Sequence, residues 1–267
     1  MSPEDGRVRP ALDVVTYNLM GLADERLDER TEAICQSLLL EDPPDVVLLQ
    51  EVVPRTLAAH VLPHFSAAGF TVAPRQPVSE SSYFCTIAVR SGLAPKAAWR
   101  RPFPGSQMGR ALLCLEVDWA GETLRVCTSH LESLRQGQRE RAAQIAAVAE
   151  ALREATGPAL FGGDTNARPD HLEGLGTDIQ DAWDLAGRPA SAAATWWPLR
   201  GKGPRRRFDR VWLGGRGRWA VEQMQTLPAA RVAGMRVSDH VGVRVRLTWQ
   251  AGLGTVRGEE GESTCPR

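Results

Sequence analysis

The sequence predicts an α/β fold in which two mixed β-sheets pack face to face with helices on the outside. Three observations predict it. Short apolar runs of β type recur along all 267 residues. Two amphipathic helices each stand between such runs, so a strand–helix–strand unit occurs twice. The helices also fall in the middle of each half, surrounded by many strands, which two stacked sheets accommodate and one does not.

In chain order, the strand candidates begin with Leu12–Tyr17 (LDVVTY), Val46–Gln50 (VVLLQ), Tyr83–Val89 and Ala111–Val117. Leu124–Ser129, Ala159–Gly162, Phe208–Leu213, Trp219–Thr226 and Val241–Thr248 complete the set. They are rich in β-branched and other apolar residues and are bounded by Gly, Pro and Asp. In the last run Val243, Val245 and Leu247 alternate with Arg244, Arg246 and Thr248, which predicts one wet face. The first helix is expected from Asp24 to Leu40, with Leu27, Ile34 and Leu38 on one face and Pro43-Pro44 as its stop. The second is expected from Leu134 to Ala155, with Ile145, Val148, Ala149 and Leu152 as its stripe. Ser133 and Gln136 form a capping-box pattern before it. Shorter helices are expected at 54–68 and 169–175.

Composition narrows the function. Apolar residues make up 43% and charged residues 24%, enough to build a core. No run of about 18 apolar residues predicts a membrane span. The start, MSPEDGRVRPALD, has no apolar h-region, so the expected compartment is the cytoplasm. Five scattered cysteines without a Cys-x-x-Cys pair argue against a zinc site or a disulfide framework, and Cys114 and Cys127 are expected as inert core residues. The net charge is zero but unevenly spread: residues 200–218 hold eight basic side chains against Asp209 alone, and 24–42 hold seven acids against two arginines. A domain at 11–249 is expected, flanked by disordered segments at 1–10 and 250–267, the latter rich in Gly and charge.

The polar residues that close the apolar runs are Asn18, Glu51, His130, Asp164, Asn166, Asp209, Asp239 and His240. Singly, each has an ordinary role: Asn18 in a turn, Asp164-Thr165-Asn166 in an Asx-type turn, His130 ending a strand. Jointly, oxygen donors and two histidines at strand ends suit a hard divalent cation and phosphate ester chemistry.

The strings TYNLMG (16–21), LLQEV (48–52), SHLES (129–133), GGDTNARPD (162–170), RFDRVWL (207–213) and SDHVGV (238–243) resemble the endonuclease/exonuclease/phosphatase superfamily, in order, over residues 12–249. HLES, GDTN followed by Arg168, DAWDLAG (181–187), Thr195-Trp196 and RFDR are most similar to its 5′-tyrosyl-DNA phosphodiesterase branch. Where that branch shows an acid after the Thr-Trp pair, this chain has Trp197.

The resemblance implies a four-layer α/β/β/α sandwich of the DNase I type and a Mg2+-dependent phosphodiesterase, with Mn2+ as the alternative ion. It implies Glu51 as the main metal ligand, with Asn18 and Asp239 beside it. Asp164 would activate water, Asn166 would hold that water or a phosphate oxygen, and His240 would donate to the transition state. Asp209 would orient His240, His130 would bind phosphate, and Arg168 would clamp a nonbridging oxygen. Trp196 with Arg205, Arg206 and Arg207 reads either as the wall of a single-strand groove or as packing and a solvated turn. The implied substrate is a DNA end bearing a 5′-phosphotyrosyl linkage, met by a monomer away from membranes. The alternatives are another nuclease, a phospholipid or inositol phosphate esterase of this fold, and a nucleic-acid-binding pseudoenzyme.

Overall fold

The strand runs are apolar on both faces because each sheet is covered on both. The computed structural model describes residues 11–78, 82–198, 203–215 and 217–251. β1 (Ala11–Asn18) leads through α1 (Leu27–Leu39) to β2 (Val46–Val52). A helical stretch follows, with α2 (Pro54–Thr56), a π turn (Leu57–Val61) and α3 (Leu62–Ala67). Next come β3 (Phe70–Ala73), β4 (Phe84–Arg90), β5 (Pro95–Pro102), β6 (Ala111–Trp119) and β7 (Glu122–His130). Then α4 (Gln138–Arg153), β8 (Pro158–Asp164), β9 (Gln180–Asp181) and α5 (Ala182–Leu185) lead to β10 (Asp209–Gly215) and β11 (Gly217–Thr226). A small hairpin, β12 (Arg231–Val232) and β13 (Met235–Arg236), precedes β14 (Val243–Ala251).

The first sheet runs β11-β14-β1-β2-β4-β3 and the second β5-β6-β7-β8-β10-β9. β1 and β2 are parallel across α1, and β7 and β8 are parallel across α4, as the two strand–helix–strand units predict. Alternate residues serve different cores. Val14, Val46 and Leu48 face the space between the sheets, with Leu115, Val126 and Leu160 opposite. Val15, Val47 and Leu49 face outward onto Ile34 and Leu38 of α1. Phe161 and Trp212 likewise face Ile145, Val148 and Leu152 of α4. Each such aliphatic side chain stabilises the fold by roughly 1.5–3 kcal/mol.

Several expectations need correction. β3 and β5 were not legible: β3 is only four residues long, and β5 is largely exposed and begins and ends in proline. α4 starts at Gln138 with Gly137 as its N-cap, so Ser133 and Gln136 form no capping box. A Cβ at position 137 would lie 2.6 Å from the Ser133 carbonyl oxygen, a contact only glycine tolerates. Segment 169–175 forms two 3-10 turns rather than an α-helix. Gln250 and Ala251, expected in a disordered tail, extend β14; residues 1–10 and 252–267 lie outside the described residues. Cys114 and Cys127 are not separate thiols: they face each other across the β6–β7 ladder and form a disulfide. Among the described residues no helix is long and apolar enough to cross a membrane.

Candidate active site

A parallel crossover returns the chain to the end of the sheet from which it left, so β1, β2, β7 and β8 all finish at one end of the sandwich. Asn18 closes β1, and His130 and Asp164 close β7 and β8 as register partners. β10 starts at this end, with Asp209 opposite Asp164. His240 lies just before β14 and bridges to Trp196. Glu51 is aimed by a β-bulge: the β2–β4 register shifts between Leu49 and Val52, and Glu51 has φ 55°. Behind the site, the buried Gln50 ties the sheets together, its amide donating to Thr16 Oγ1 at 3.0 Å and to Thr128 Oγ1 of β7 at 3.1 Å.

The side chains form one network. Asn18 Nδ2 donates to Asp164 Oδ2 at 3.0 Å and to Glu51 Oε1 at 3.3 Å. His130 Nε2 lies 3.2 Å from Asp164 Oδ2, and its Nδ1 lies 3.6 Å from Glu51 Oε1 without a hydrogen bond. His240 donates from Nδ1 to Asp209 Oδ2 at 2.7 Å, and its Nε2 lies 3.5 Å from Asp164 Oδ2. Asp164 closes an Asx turn by accepting from the Asn166 backbone at 3.0 Å, while Asn166 Nδ2 donates to the Leu131 carbonyl. Asp239 Oδ2 accepts from the Trp196 indole at 3.0 Å.

Burial raises the Asp164 carboxyl to about 6, helped by Asp209 and opposed by His240 and the hydrogen bonds from Asn166 and Asn18. Burial alone would keep His240 neutral, but Asp209, Asp164 and Asp239 outweigh it and raise the imidazole to about 10. His130 is held well below the usual imidazole value by burial, Arg110 and His240, so it is neutral. The two histidines thus differ in charge: one donates as an imidazolium, the other presents a neutral ring.

A metal-capable cluster is present: Asp164, Asp209 and His240 each bring a donor atom within 4.8 Å of the others. That trio is sealed from solvent and already shares a short hydrogen bond, which suits proton handling better than ion binding. Glu51 is the more open carboxylate, 13% exposed against 1% for Asp164.

Beyond the strand ends, Asn166, Arg168, Trp196 and Phe208 line an open cleft of about 630 Å³, together with Arg135 and Arg141. Arg205 is exposed and stacks over Trp197, its guanidinium 5.5 Å from the ring centre, and Arg206 pairs through its backbone with Trp196. Arg207 does not stand on a groove wall. Its fork is bound to the buried Asp181 and lies over Trp183, because Asp181 would otherwise be left to Arg210 alone. Arg200, Lys202 and Arg216 of the basic segment lie outside the described residues.

Three further groups shape the site, none with a role expected from the sequence. Tyr83 tilts against His130 with Arg110 over its ring. Glu132, buried behind His130, accepts from Ser106 Oγ, the Gln107 amide and Gln144 Nε2, and so fixes the loop that carries Arg110. Thr195 Oγ1 accepts from the Phe208 and Asp209 amides and sets the start of β10. Glu132 and Thr195 stood in the strings SHLES and Thr195-Trp196, whereas nothing in the sequence singled out Tyr83.

The chain is 36% identical over 201 residues to tyrosyl-DNA phosphodiesterase 2 of Bos taurus, a match covering 72% of this chain. It spans 52% of that relative's length. Among solved structures, humanized D. rerio TDP2 superimposes with a TM-score of 0.81 at 29% identity, covering 89% of this chain and 99% of that one. D. rerio TDP2 complexed with single strand DNA product gives 0.80 at 28% identity, with the same coverages of 89% and 99%. The fold is therefore the four-layer DNase I-like sandwich. Residues 15–240, from β1 to the His240 loop, match the Endonuclease/Exonuclease/phosphatase family, and the chain belongs to it.

Proposed function

We propose that the chain is a divalent-metal-dependent phosphodiesterase that hydrolyses the 5′-phosphotyrosyl bond at DNA ends. One observation carries the proposal: the Asn18 amide joins Glu51 to Asp164 at the strand ends, and His240 lies beside Asp164. The tyrosyl-DNA phosphodiesterase relatives support the choice of linkage, and the relative crystallised with a single strand DNA product supports the polymer.

The residues fit a cation. Glu51, Asp164, Asp209 and Asp239 set four carboxylates against one imidazolium, leaving an excess of negative charge. Glu51 would hold the ion, with Asn18 and Asp239 beside it, and this oxygen-rich set suits Mg2+, with Mn2+ as the alternative. When bound, the ion neutralises nonbridging phosphate oxygens and steadies the leaving oxygen. Asp164 orients the attacking water and takes its proton, while the Asn166 side-chain oxygen holds that water. Oxygen adds to phosphorus, the bond to the tyrosyl oxygen breaks, and the strand keeps a 5′-phosphate. His240 donates from Nε2 to the charge that develops on phosphorus, and Asp209 holds the other imidazole proton in place. His130 packs against the phosphate from the far side. Arg168 clamps a nonbridging oxygen, and Trp196, Arg205 and Arg206 line the strand path.

The chain is proposed to act as a monomer. The cytoplasm is the proposed compartment; the Cys114–Cys127 disulfide favours an oxidising one instead, and a thiol count on freshly extracted protein decides between them.

The test is a panel of 5′-phosphotyrosyl oligonucleotide, abasic duplex, plain single strand and bis-p-nitrophenyl phosphate. The expected result is release of 5′-phosphate DNA from the first, lost with EDTA and restored by Mg2+ or Mn2+. Cleavage confined to abasic duplex would overturn the substrate, and no metal-dependent cleavage of any arm would overturn the chemistry.

A further inference from the structure

Arg30 of α1 is buried without any exposed surface, yet among the described residues its hydrogen bonds all go to backbone carbonyls and none to a carboxylate. A guanidinium carries five N–H groups, and here each meets a backbone carbonyl. Nε donates to Glu25 at 2.9 Å, Nη1 to Leu19 at 3.1 Å and Val237 at 2.8 Å, and Nη2 to Met20 at 3.2 Å and Ala23 at 2.5 Å. Four of these acceptors belong to the loop that continues from Asn18. The fifth, 207 residues away in sequence, directly precedes Ser238-Asp239-His240. The same two segments are stitched once more beside the site: Ser238 Oγ donates to the Asn18 carbonyl at 2.8 Å and accepts from the His240 amide at 3.0 Å. Burial lowers the Arg30 guanidinium, while the fields of Asp239, Glu25 and Glu51 hold its charge in place.

We propose that Arg30 is a positioning residue: its guanidinium clamps the loop carrying Asn18 to the loop carrying Asp239 and His240, and so sets the spacing between the cation-holding groups and the imidazole. The catalytic consequence rests on the proposed phosphodiesterase activity; the clamp itself does not. Lysine keeps the charge but has three donors on a flexible stem and cannot span five carbonyls.

The test pairs Arg30→Lys with Arg125→Lys. Arg125 is a partly buried arginine on β7 bound to Glu116 and the Ala151 carbonyl, away from the strand ends. Both should melt below the wild type. Arg30→Lys should also lower kcat about tenfold or more with KM within about threefold, since misplaced groups act in the transition state. Its Mn2+ affinity, followed by electron paramagnetic resonance without substrate, should weaken by about threefold or more, whereas Arg125→Lys should leave kcat and Mn2+ affinity within about twofold of wild type. An Arg30→Lys protein that melts lower but keeps both within about twofold would show a merely structural arginine and overturn the proposal.

A third arm needs no variant and no activity. In wild-type hydrogen exchange, amides of residues 19–25 and 237–240 should open as one cooperative unit. Opening rates differing by more than about tenfold between the two segments would overturn the clamp whether or not Arg30→Lys folds. A wild type inactive on every substrate of the panel would remove the phosphodiesterase reading while leaving the exchange result to decide the clamp.

Discussion

Asp209 stands opposite Asp164 across the β8–β10 ladder, and its Oδ2 reaches His240 Nδ1 at 2.7 Å. A buried carboxylate, an imidazolium and a second carboxylate therefore lie in line at the strand ends. Replacing Asp209 with Asn keeps the shape but offers an amide that can no longer stabilise the charged ring. Turnover of bis-p-nitrophenyl phosphate should fall by about 10²-fold while the circular dichroism spectrum is unchanged. A rate within threefold of wild type would show that His240 needs no partner.

Asp164→Asn and His240→Gln should each reduce kcat by about 10²–10³-fold, because in the proposed reaction each is a group that acts on the reacting atoms. The double variant should be little worse than either single, as expected for groups that work as a unit. Retained turnover in both singles would refute the assigned roles.

Gly21 sits against the backbone of Glu51, the carboxylate proposed to hold the ion: a Cβ there would lie 1.8 Å from the Glu51 carbonyl oxygen. Gly21→Ala must push the β1–α1 loop away or shift Glu51. Overpacking of this kind costs about 1–3 kcal/mol. A lower Tm together with a raised Mg2+ requirement for activity is expected, and an unchanged Mg2+ dependence would show that Glu51 does not feel this contact.

The cleft that holds Arg168 and Trp196 should bind a strand through its phosphates. Affinity for a single-stranded oligonucleotide should fall steeply with salt, and Arg168→Ala should lower the slope of log K against log salt by about 0.7, the share of one phosphate contact. A flat salt response in the wild type would instead indicate a small or uncharged substrate.

Gln50→Ala should leave the Thr16 and Thr128 hydroxyls short of a partner between the sheets. A loss of about 1–3 kcal/mol is expected in urea unfolding, since buried polar groups without partners are costly. Stability equal to the wild type would mean that water replaces the amide.

Most of the architecture was legible because strands covered on both faces are written as unbroken apolar runs, and the two long helices carry their stripes openly. The strands β3 and β5 escaped because β3 spans only four residues and β5 is largely exposed, so neither writes a long apolar run. The start of α4 was misplaced because Ser133 and Gln136 satisfy a local rule that the packing of Glu132 and Gly137 overrides. The strand-end residues could be gathered from sequence because each follows an apolar run. Glu132, Thr195 and Arg30 could not, since their partners lie in other segments of the chain.

The sequence by itself determined that two strand–helix–strand crossovers exist, and therefore that Asn18 ends beside the β2 end that carries Glu51 and that His130 ends beside Asp164, because such a unit has little freedom to do otherwise; that the two pairs meet at one end was decided by how the sheets stack. Tertiary structure alone decided that a bulge turns Glu51 inward, that Arg207 serves Asp181 rather than a groove, that Cys114 meets Cys127, and that Arg30 reaches Val237, 207 residues away. The physical reason is the same in each case. Periodicity records which face of an element leaves water, whereas the identity of the group that meets a given side chain depends on which strands become neighbours.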